Sequence, residues 1–258
     1  MNMIKRVVAV NGSPRKTSTH KVLMELADLL EAQQIQVTIL DLADFQIGGC
    51  IGCELCIRKT SQCFQKDNAQ EILTQMQSAD GIILASPVYV MNITGRLKSL
   101  IDKTASWIHR PPMAGKPVLS LATTAGAGLK DVQSYLDKVA VQWGMHPTDK
   151  IGRTVMNKTP LSLDEVSNFL WHLNNPPDAY TPSLNQVMQF QVQKVLAMKV
   201  VAIDRAYWSA RGWDKQQYYY ACRLSLGKRL IAWGFYKLLD FRIRPSDPIK
   251  FYIEGNRI

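Results

Sequence analysis

No apolar run in the 258-residue chain approaches the ~18–20 residues needed to cross a bilayer. At the start, Lys5 and Arg6 precede a short Val7–Val10 run that stops at Asn11 and Gly12, too little for a secretory signal. The expectation is a cytoplasmic protein, in a compartment where thiols stay reduced. Cysteine is scarce, five in all, and four of the five fall between Cys50 and Cys63. Histidine is scarcer still. His20, His109, His146 and His172 are scattered, and no His/Asp pair marks an acid–base dyad. Acidic residues are outnumbered by basic ones, 21 to 31, for a formal charge of +10. The imbalance sits at the end: residues 207–258 hold 10 Lys/Arg against 4 Asp/Glu. Such a segment attracts anionic partners or surfaces.

What is present is an alternation of short apolar strands and amphipathic helical stretches over the first 155 residues or so. Val7–Val10, Ile35–Leu40, Gly81–Ala85, Pro117–Leu121 and the weaker Ile151–Val155 read as strands. Helices fit between them: one capped by Thr17 or Ser18, then 68–78, 94–108 and 129–143, with a shorter one at about 162–172. Near-continuous apolar strands alternating with helices predict an α/β domain with a doubly wound, five-stranded parallel sheet. The flavodoxin-like strand order 2-1-3-4-5 suits it, with a ligand at the carboxyl ends of strands 1, 3 and 4. Pro160, Asn174–Pro177 and Pro182 punctuate the chain. The expected division is a sheet domain over 1–180, carrying a cysteine-rich loop at 48–63, and a helical extension over 181–258. In the extension, Leu184, Val187, Met188, Gln191, Val195, Met198 and Ala202 trace one helix face. Tyr219, Cys222, Leu226, Leu230 and Trp233 trace another, on a helix over about 215–239.

Three loops follow strands 1, 3 and 4. Val10–Val22 offers Ser13, Thr17, Ser18 and Thr19 hydroxyls and the free N–H groups of a helix start, a ready anion site. It has neither the G-x-G-x-x-G of dinucleotide sites nor the G-x-x-x-x-G-K-[ST] of triphosphate sites, and suits a monophosphate such as that of FMN. The stretch Pro87, Val88, Tyr89, Met91, Asn92 and Ile93 leaves the third strand at a proline. Taken alone it reads as a plain strand–helix turn with a packed Tyr; beside the first loop it offers backbone N–H groups to a flavin, with Tyr89 and Asn92 as walls. Thr123, Thr124, Ala125 and Gly126 follow the fourth strand, where small residues let the backbone approach a flat ring and favour negative charge on it.

Cys50, Cys53 and Cys56 are spaced by two residues each, and Cys63 follows after six. Disulfides fit poorly with a reducing compartment. Zinc usually takes two C-x2-C knuckles a dozen or more residues apart. The rhythm is that of bacterial ferredoxins and their [4Fe–4S] clusters. An empty thiol loop is the remaining reading. Cys222, on the helix stripe, is expected to be a buried apolar residue.

Together, V-N-G-S-P-R-K-x-S-T, S-P-V-Y-x-x-N-I-T-G-x-L-K and T-T-A-G-A-G at the ends of three strands resemble the NAD(P)H-dependent FMN reductase family. The C-x2-C-x2-C-x6-C loop resembles that of its iron–sulfur flavoprotein branch. The likeness covers roughly residues 1–155, and everything after about 180 is expected to lie outside it. It implies an FMN-dependent oxidoreductase that takes a hydride from NAD(P)H, with Ser13, Arg15, Ser18 and Thr19 on the FMN phosphate. It further implies a [4Fe–4S] cluster on Cys50, Cys53, Cys56 and Cys63, and a homodimer or homotetramer. His20 stands where the family usually has a small hydroxyl residue. Cluster-free members keep similar cysteines, and would reduce quinones, free flavin or other small acceptors. A non-enzymatic electron carrier with a protein partner is the competing class.

The extension interleaves Trp208, Trp213, Tyr218–Tyr220, Trp233, Phe235 and Tyr236 with eight Lys/Arg between Arg211 and Arg244. Packing on the core or on a sister subunit is one reading, and peripheral contact with an anionic membrane another. No nucleic-acid motif is present, and no nucleic-acid partner is expected.

Overall fold

Five parallel strands organise the computed structural model, which describes residues 4–157 and 159–245. They are β1 (Lys5–Asn11), β2 (Ile35–Asp41), β3 (Gly81–Pro87), β4 (Pro117–Thr124) and β5 (His146–Thr154). Their order is β2-β1-β3-β4-β5, the flavodoxin-like order, and every neighbouring pair is parallel.

Alternate residues of each strand feed opposite cores, because successive side chains point to opposite faces. Val8, Val10, Ile82, Leu84 and Val118 pack toward α2 (Ala69–Ser78), α3 (Gly95–Asp102) and α5 (Leu129–Gln142). Val7, Ala9, Ile83, Leu119 and Leu121 pack toward α1 (Ser18–Glu31) and α6 (Ser167–Asn174), through Leu23, Leu26, Phe169 and Leu173. Both faces are covered, which is why these strands are apolar without alternation.

Two helices differ from the sequence expectation. The stretch 94–108 breaks into α3 and α4 (Ala105–His109) at Lys103 and Thr104. Lys103 buries its ammonium fully, 2.8 Å from Asp67. The Thr104 hydroxyl donates to the Ile101 carbonyl at 2.7 Å and accepts from the Trp143 indole at 2.9 Å. Such a side-chain bond competes with helical pairing of the backbone.

The extension forms α7 (Leu184–Lys199), α8 (Ala202–Ala210) and α9 (Leu226–Arg242). Periodicity predicts a helix from about 215, yet α9 starts only after its Ser225 cap. The stripe does not form: Tyr219 is buried, whereas Leu226, Leu230 and Trp233 are exposed. Tyr218 and Tyr219 both join Phe190, Trp208 and Trp213 in a third core. Neighbouring residues both face inward more easily on irregular chain than on a helix, where they diverge by 100°. Cys222 is half-buried against this core. Among the described residues no helix is long and apolar enough to cross a membrane.

Candidate functional site

The carboxyl ends of β1, β3 and β4 frame a cleft of about 700 Å³. Its floor begins at Asn11, fully buried, whose carboxamide donates to Asp41 at 2.6 Å and accepts the Ser13 N–H at 3.0 Å. Asp41 also meets His20 at 2.9 Å and Lys16 at 3.3 Å. Burial alone would raise the Asp41 pKa, but bonds from Asn11, His20 and Lys16 bring it below the usual carboxylate value. His20, at the helix start, is therefore a half-buried strut under the loop. Gly12 is required by a close approach: a Cβ there would lie 2.7 Å from Leu97 Cβ and 3.2 Å from the Ala85 carbonyl oxygen.

Above this floor, the Ser13 hydroxyl donates to the Arg15 carbonyl at 2.7 Å and accepts the Arg15 N–H at 3.2 Å. Helix α1 then starts with no side-chain cap and no acidic residue in its first turn. Its leading N–H groups are open toward the cleft, with Ser13, Arg15, Thr17, Ser18 and Thr19 around them. Thr19 and Thr123 hydroxyls meet at 2.7 Å, tying the first loop to the end of β4.

The third and fourth loops are locked together. The Val88 N–H donates to the Thr123 carbonyl at 2.8 Å. Beyond it, Tyr89 and Asn92 exchange backbone bonds of 2.8 and 3.0 Å around a tight reverse turn. Val90 and Met91 at its tip have φ of 47° and 63°. A β-branched residue there is strained, and such strain concentrates at ligand sites. Gly128, with φ 92°, sits beneath: a Cβ would meet Val88 Cγ1 at 2.6 Å. The Thr124 hydroxyl folds the fourth loop, donating to the Ala127 carbonyl at 2.9 Å and accepting the Gly126 N–H at 3.1 Å.

Of the candidate residues, Ser13, Arg15, Ser18, Thr19, Pro87, Val88, Tyr89, Thr123, Thr124 and Ala125 line this one cleft. Met91, Asn92, Ile93 and Gly126 stand behind it. Met91 is at the turn tip, the Asn92 carboxamide accepts the Ile93 N–H at 2.8 Å, and Ile93 is buried. The wall that sequence reasoning missed comes from the end of β5 and just beyond it, Arg153, Thr154, Asn157 and Thr159, facing Lys21 and Glu25 of α1. Arg153 is held by a two-pronged pair with Glu165, 2.8 Å on each arm. Only the run of hydroxyl and amide residues after a weak fifth strand hinted at this wall.

Cys50, Cys53, Cys56 and Cys63 all face a second, smaller cavity of about 160 Å³. All four are free thiols, Cys50 and Cys53 exposed, Cys56 and Cys63 half-buried. Burial, with the neighbouring thiols beside it, pushes the Cys56 thiol above its ordinary pKa. The Gly52 N–H points at Cys50 Sγ from 3.4 Å, and Lys103 Nζ lies 3.8 Å from Cys63 Sγ. Among the described residues no three His, Cys, Asp or Glu side chains form a group that could hold a metal ion. The four thiols line one cavity, with the Lys103 ammonium near Cys63 Sγ and the Gly52 N–H near Cys50 Sγ.

The loop is clamped from outside. Buried Arg110 donates to the Cys56 carbonyl at 2.6 Å and to the Ile57 carbonyl at 3.0 Å. Its guanidinium is in turn paired with Asp204 of α8, which also holds His109 at 2.9 Å. The Ser106 hydroxyl donates to the Ser61 carbonyl at 2.8 Å.

Residues 5–157 match the model of a family described as NADPH-dependent FMN reductase. An iron–sulfur flavoprotein of Archaeoglobus fulgidus is 33% identical over 144 residues, 55% of this chain and 65% of that protein. An iron–sulfur flavoprotein of Clostridioides difficile is 26% identical over 226 residues, covering 80% of this chain and 98% of that protein. A match of that extent cannot be confined to residues 1–180, so the likeness runs into the helical extension, contrary to the expectation from motifs alone. The chain spans between 48% and 65% of the length of the first curated relatives it matches. The solved structure of RosB shares the fold at a TM-score of 0.51 and 11% identity, over 86% of this chain and 92% of that one.

Proposed function

The chain belongs to the NADPH-dependent FMN reductase family, and on that premise we propose an FMN-dependent oxidoreductase that takes a hydride from NAD(P)H and passes electrons on through a [4Fe–4S] cluster. FMN supplies hydride acceptance and stepwise electron release, and the cluster one-electron carriage. The chain's own residues do the holding. Ser13, Ser18 and Thr19 hydroxyls, the Arg15 guanidinium and the open N–H groups of α1 receive the phosphate. Tyr89, set by the strained turn, walls the ring, and Thr123–Ala125 present backbone to its edge. Cys50, Cys53, Cys56 and Cys63 ligate the cluster, and Lys103 offsets negative charge at Cys63. The reading is carried by one observation: an uncapped helix start opening into a hydroxyl-lined cleft at the ends of β1, β3 and β4.

Exposed Ile51, Phe64, Val90 and Met91 support a second copy covering these loops, in a homodimer or homotetramer. Free thiols support a cytoplasmic setting.

Anaerobic purification tests the reading. A flavin spectrum, iron and sulfide in equal amounts, and NAD(P)H oxidation with a quinone or dye are expected. Thr19→Val, which removes one hydroxyl from the cleft, is expected to weaken FMN binding about tenfold. Protein that stays colourless after incubation with FMN sinks the reading. Flavin without iron removes the cluster and leaves a cluster-free quinone or flavin reductase. Flavin and iron with no turnover on any acceptor leave an electron carrier.

A further inference from the structure

We propose that the outer face of α9 is an in-plane anchor that lays the protein on an anionic lipid surface. Helix α9 has two faces. The inner one is spent on α7: Ala232 is buried, and Lys194 Nζ sits 5.3 Å over the Tyr236 ring. Lys199 Nζ pairs with the Asp240 carboxylate at 2.8 Å and donates to the carbonyls of Asp240 and Ile243 at the helix end. These contacts fix the rotation of the helix about its axis.

At 100° per residue, the side away from Ala232 then carries Leu226, Leu230, Trp233, Lys237 and Phe241 in one stripe, with Asp240 at its edge, seven residues on from Trp233. Leu226 is 70% exposed, Leu230 60%, Trp233 61% and Phe241 86%, with exposed Ile231 and Leu238 beside them. A surface helix normally turns polar on its outer side; a helix apolar on both sides has a partner there.

Charge selects the partner. Arg229, Lys237, Arg242 and Arg244 are exposed and border or interrupt the stripe. Asp240, the only acidic residue of α9, is 39% exposed and paired with Lys199. The outer face is thus apolar and cationic, and the one carboxylate beside it is already paired with Lys199. A second copy would bring the same cations against it, on a chain already at +10. An acidic bilayer instead attracts the cations and takes up the Leu, Trp and Phe side chains below its headgroups. This surface stands apart from the cleft and the cysteine loop, and the inference does not depend on which cofactors they hold.

Co-sedimentation of the purified full-length protein with vesicles tests it. Binding is expected to vesicles of phosphatidylcholine with phosphatidylglycerol, and not to phosphatidylcholine alone. Trp233→Glu, at an exposed position, is expected to lower the partition coefficient at least about tenfold, as is Leu230→Glu. Arg229→Glu with Arg242→Glu provides a second variant that keeps the apolar stripe, with binding expected to fall by a similar factor. Circular dichroism and light scattering of each variant are expected to match wild type. No sedimentation with either vesicle overturns the proposal. So does binding that Trp233→Glu and Leu230→Glu leave unchanged, which would be charge attraction without insertion. A drop in oligomeric state on Trp233→Glu also overturns it, because the face is then covered by a second copy.

Discussion

Replacing Asp204 by Asn probes the join between the helical extension and the cysteine loop. Asp204 is fully buried and faces Arg110, which is 4% exposed, and His109. The substitution keeps the shape and one acceptor oxygen but removes the only charge in this pair opposing the guanidinium. Removing one partner of a buried ion pair costs about 3–5 kcal/mol, because the other charge stays desolvated. The retained oxygen places Asp204→Asn near the lower figure, about 3 kcal/mol. Replacing both partners with apolar residues, Asp204→Leu with Arg110→Met, removes the stranded charge and is expected to recover much of that loss. Chemical denaturation followed by far-UV circular dichroism reads both effects. Arg110 also holds the Cys56 and Ile57 carbonyls, so loosening it is expected to speed alkylation of Cys56 in the apoprotein. FMN affinity is expected to be unchanged, since no contact links Asp204 to the cleft lining. A loss below about 1 kcal/mol, the level of an exposed pair, would refute the claim that this pair is a desolvated clamp.

Three further outcomes are expected. Gly12→Ala drives a methyl group into Leu97 and the Ala85 carbonyl, and is expected to cost about 1–3 kcal/mol by denaturation, with weaker FMN binding. Burial lowers the His146 pKa from 6.5 to about 3, so the folded state resists its protonation. The stability this group contributes is complete above pH ~6.5 and falls by up to a few kcal/mol as pH drops toward ~3; His146→Gln is expected to flatten that slope in acid titrations. Val90→Asn puts a residue that tolerates the left-handed region where φ is 47°, and is expected to gain about 1 kcal/mol in thermal or chemical unfolding.

Much of the sheet domain was legible because its signals are local. Val7–Val10, Gly81–Ala85 and, but for Ser120, Pro117–Leu121 are apolar, which only a strand covered on both faces needs, and each is followed by a loop that carries hydroxyl residues. Ten of the fourteen candidate cleft residues converge on one cavity because they follow neighbouring strands of the sheet. The break at Lys103–Thr104 was hidden, since it depends on Asp67 and Trp143, distant in sequence. The start of α9 was hidden for a similar reason. Tyr218–Cys222 carries helix-like spacing, but its conformation is decided by Phe190, Trp208 and Trp213, which no periodicity within the segment reports. The wall at Arg153–Thr159 was missed because Ile151 is the one large aliphatic residue of β5, so its carboxyl end gave a weak strand signal.

The two candidate cofactor sites are anchored in different ways, and this follows from where their loops leave the fold. The phosphate loop is tied into the sheet domain alone: Asn11 to Asp41, the Gly12 carbonyl to the Thr94 hydroxyl at 2.7 Å, and Thr19 to Thr123. Its geometry is as rigid as the strands beneath it. The cysteine loop crosses from β2 to α2 without a strand to rest on. Its carbonyls are held by side chains of α4 and the residue after it, Ser106 and Arg110, while Lys103 approaches Cys63. Arg110 can be buried there only because Asp204 arrives from α8 to balance its charge. The extension therefore completes the support of the thiol-bearing loop while leaving the cleft untouched. A chain shortened before α8 would keep a cleft of the same lining and lose the charge that lets Arg110 grip Cys56 and Ile57.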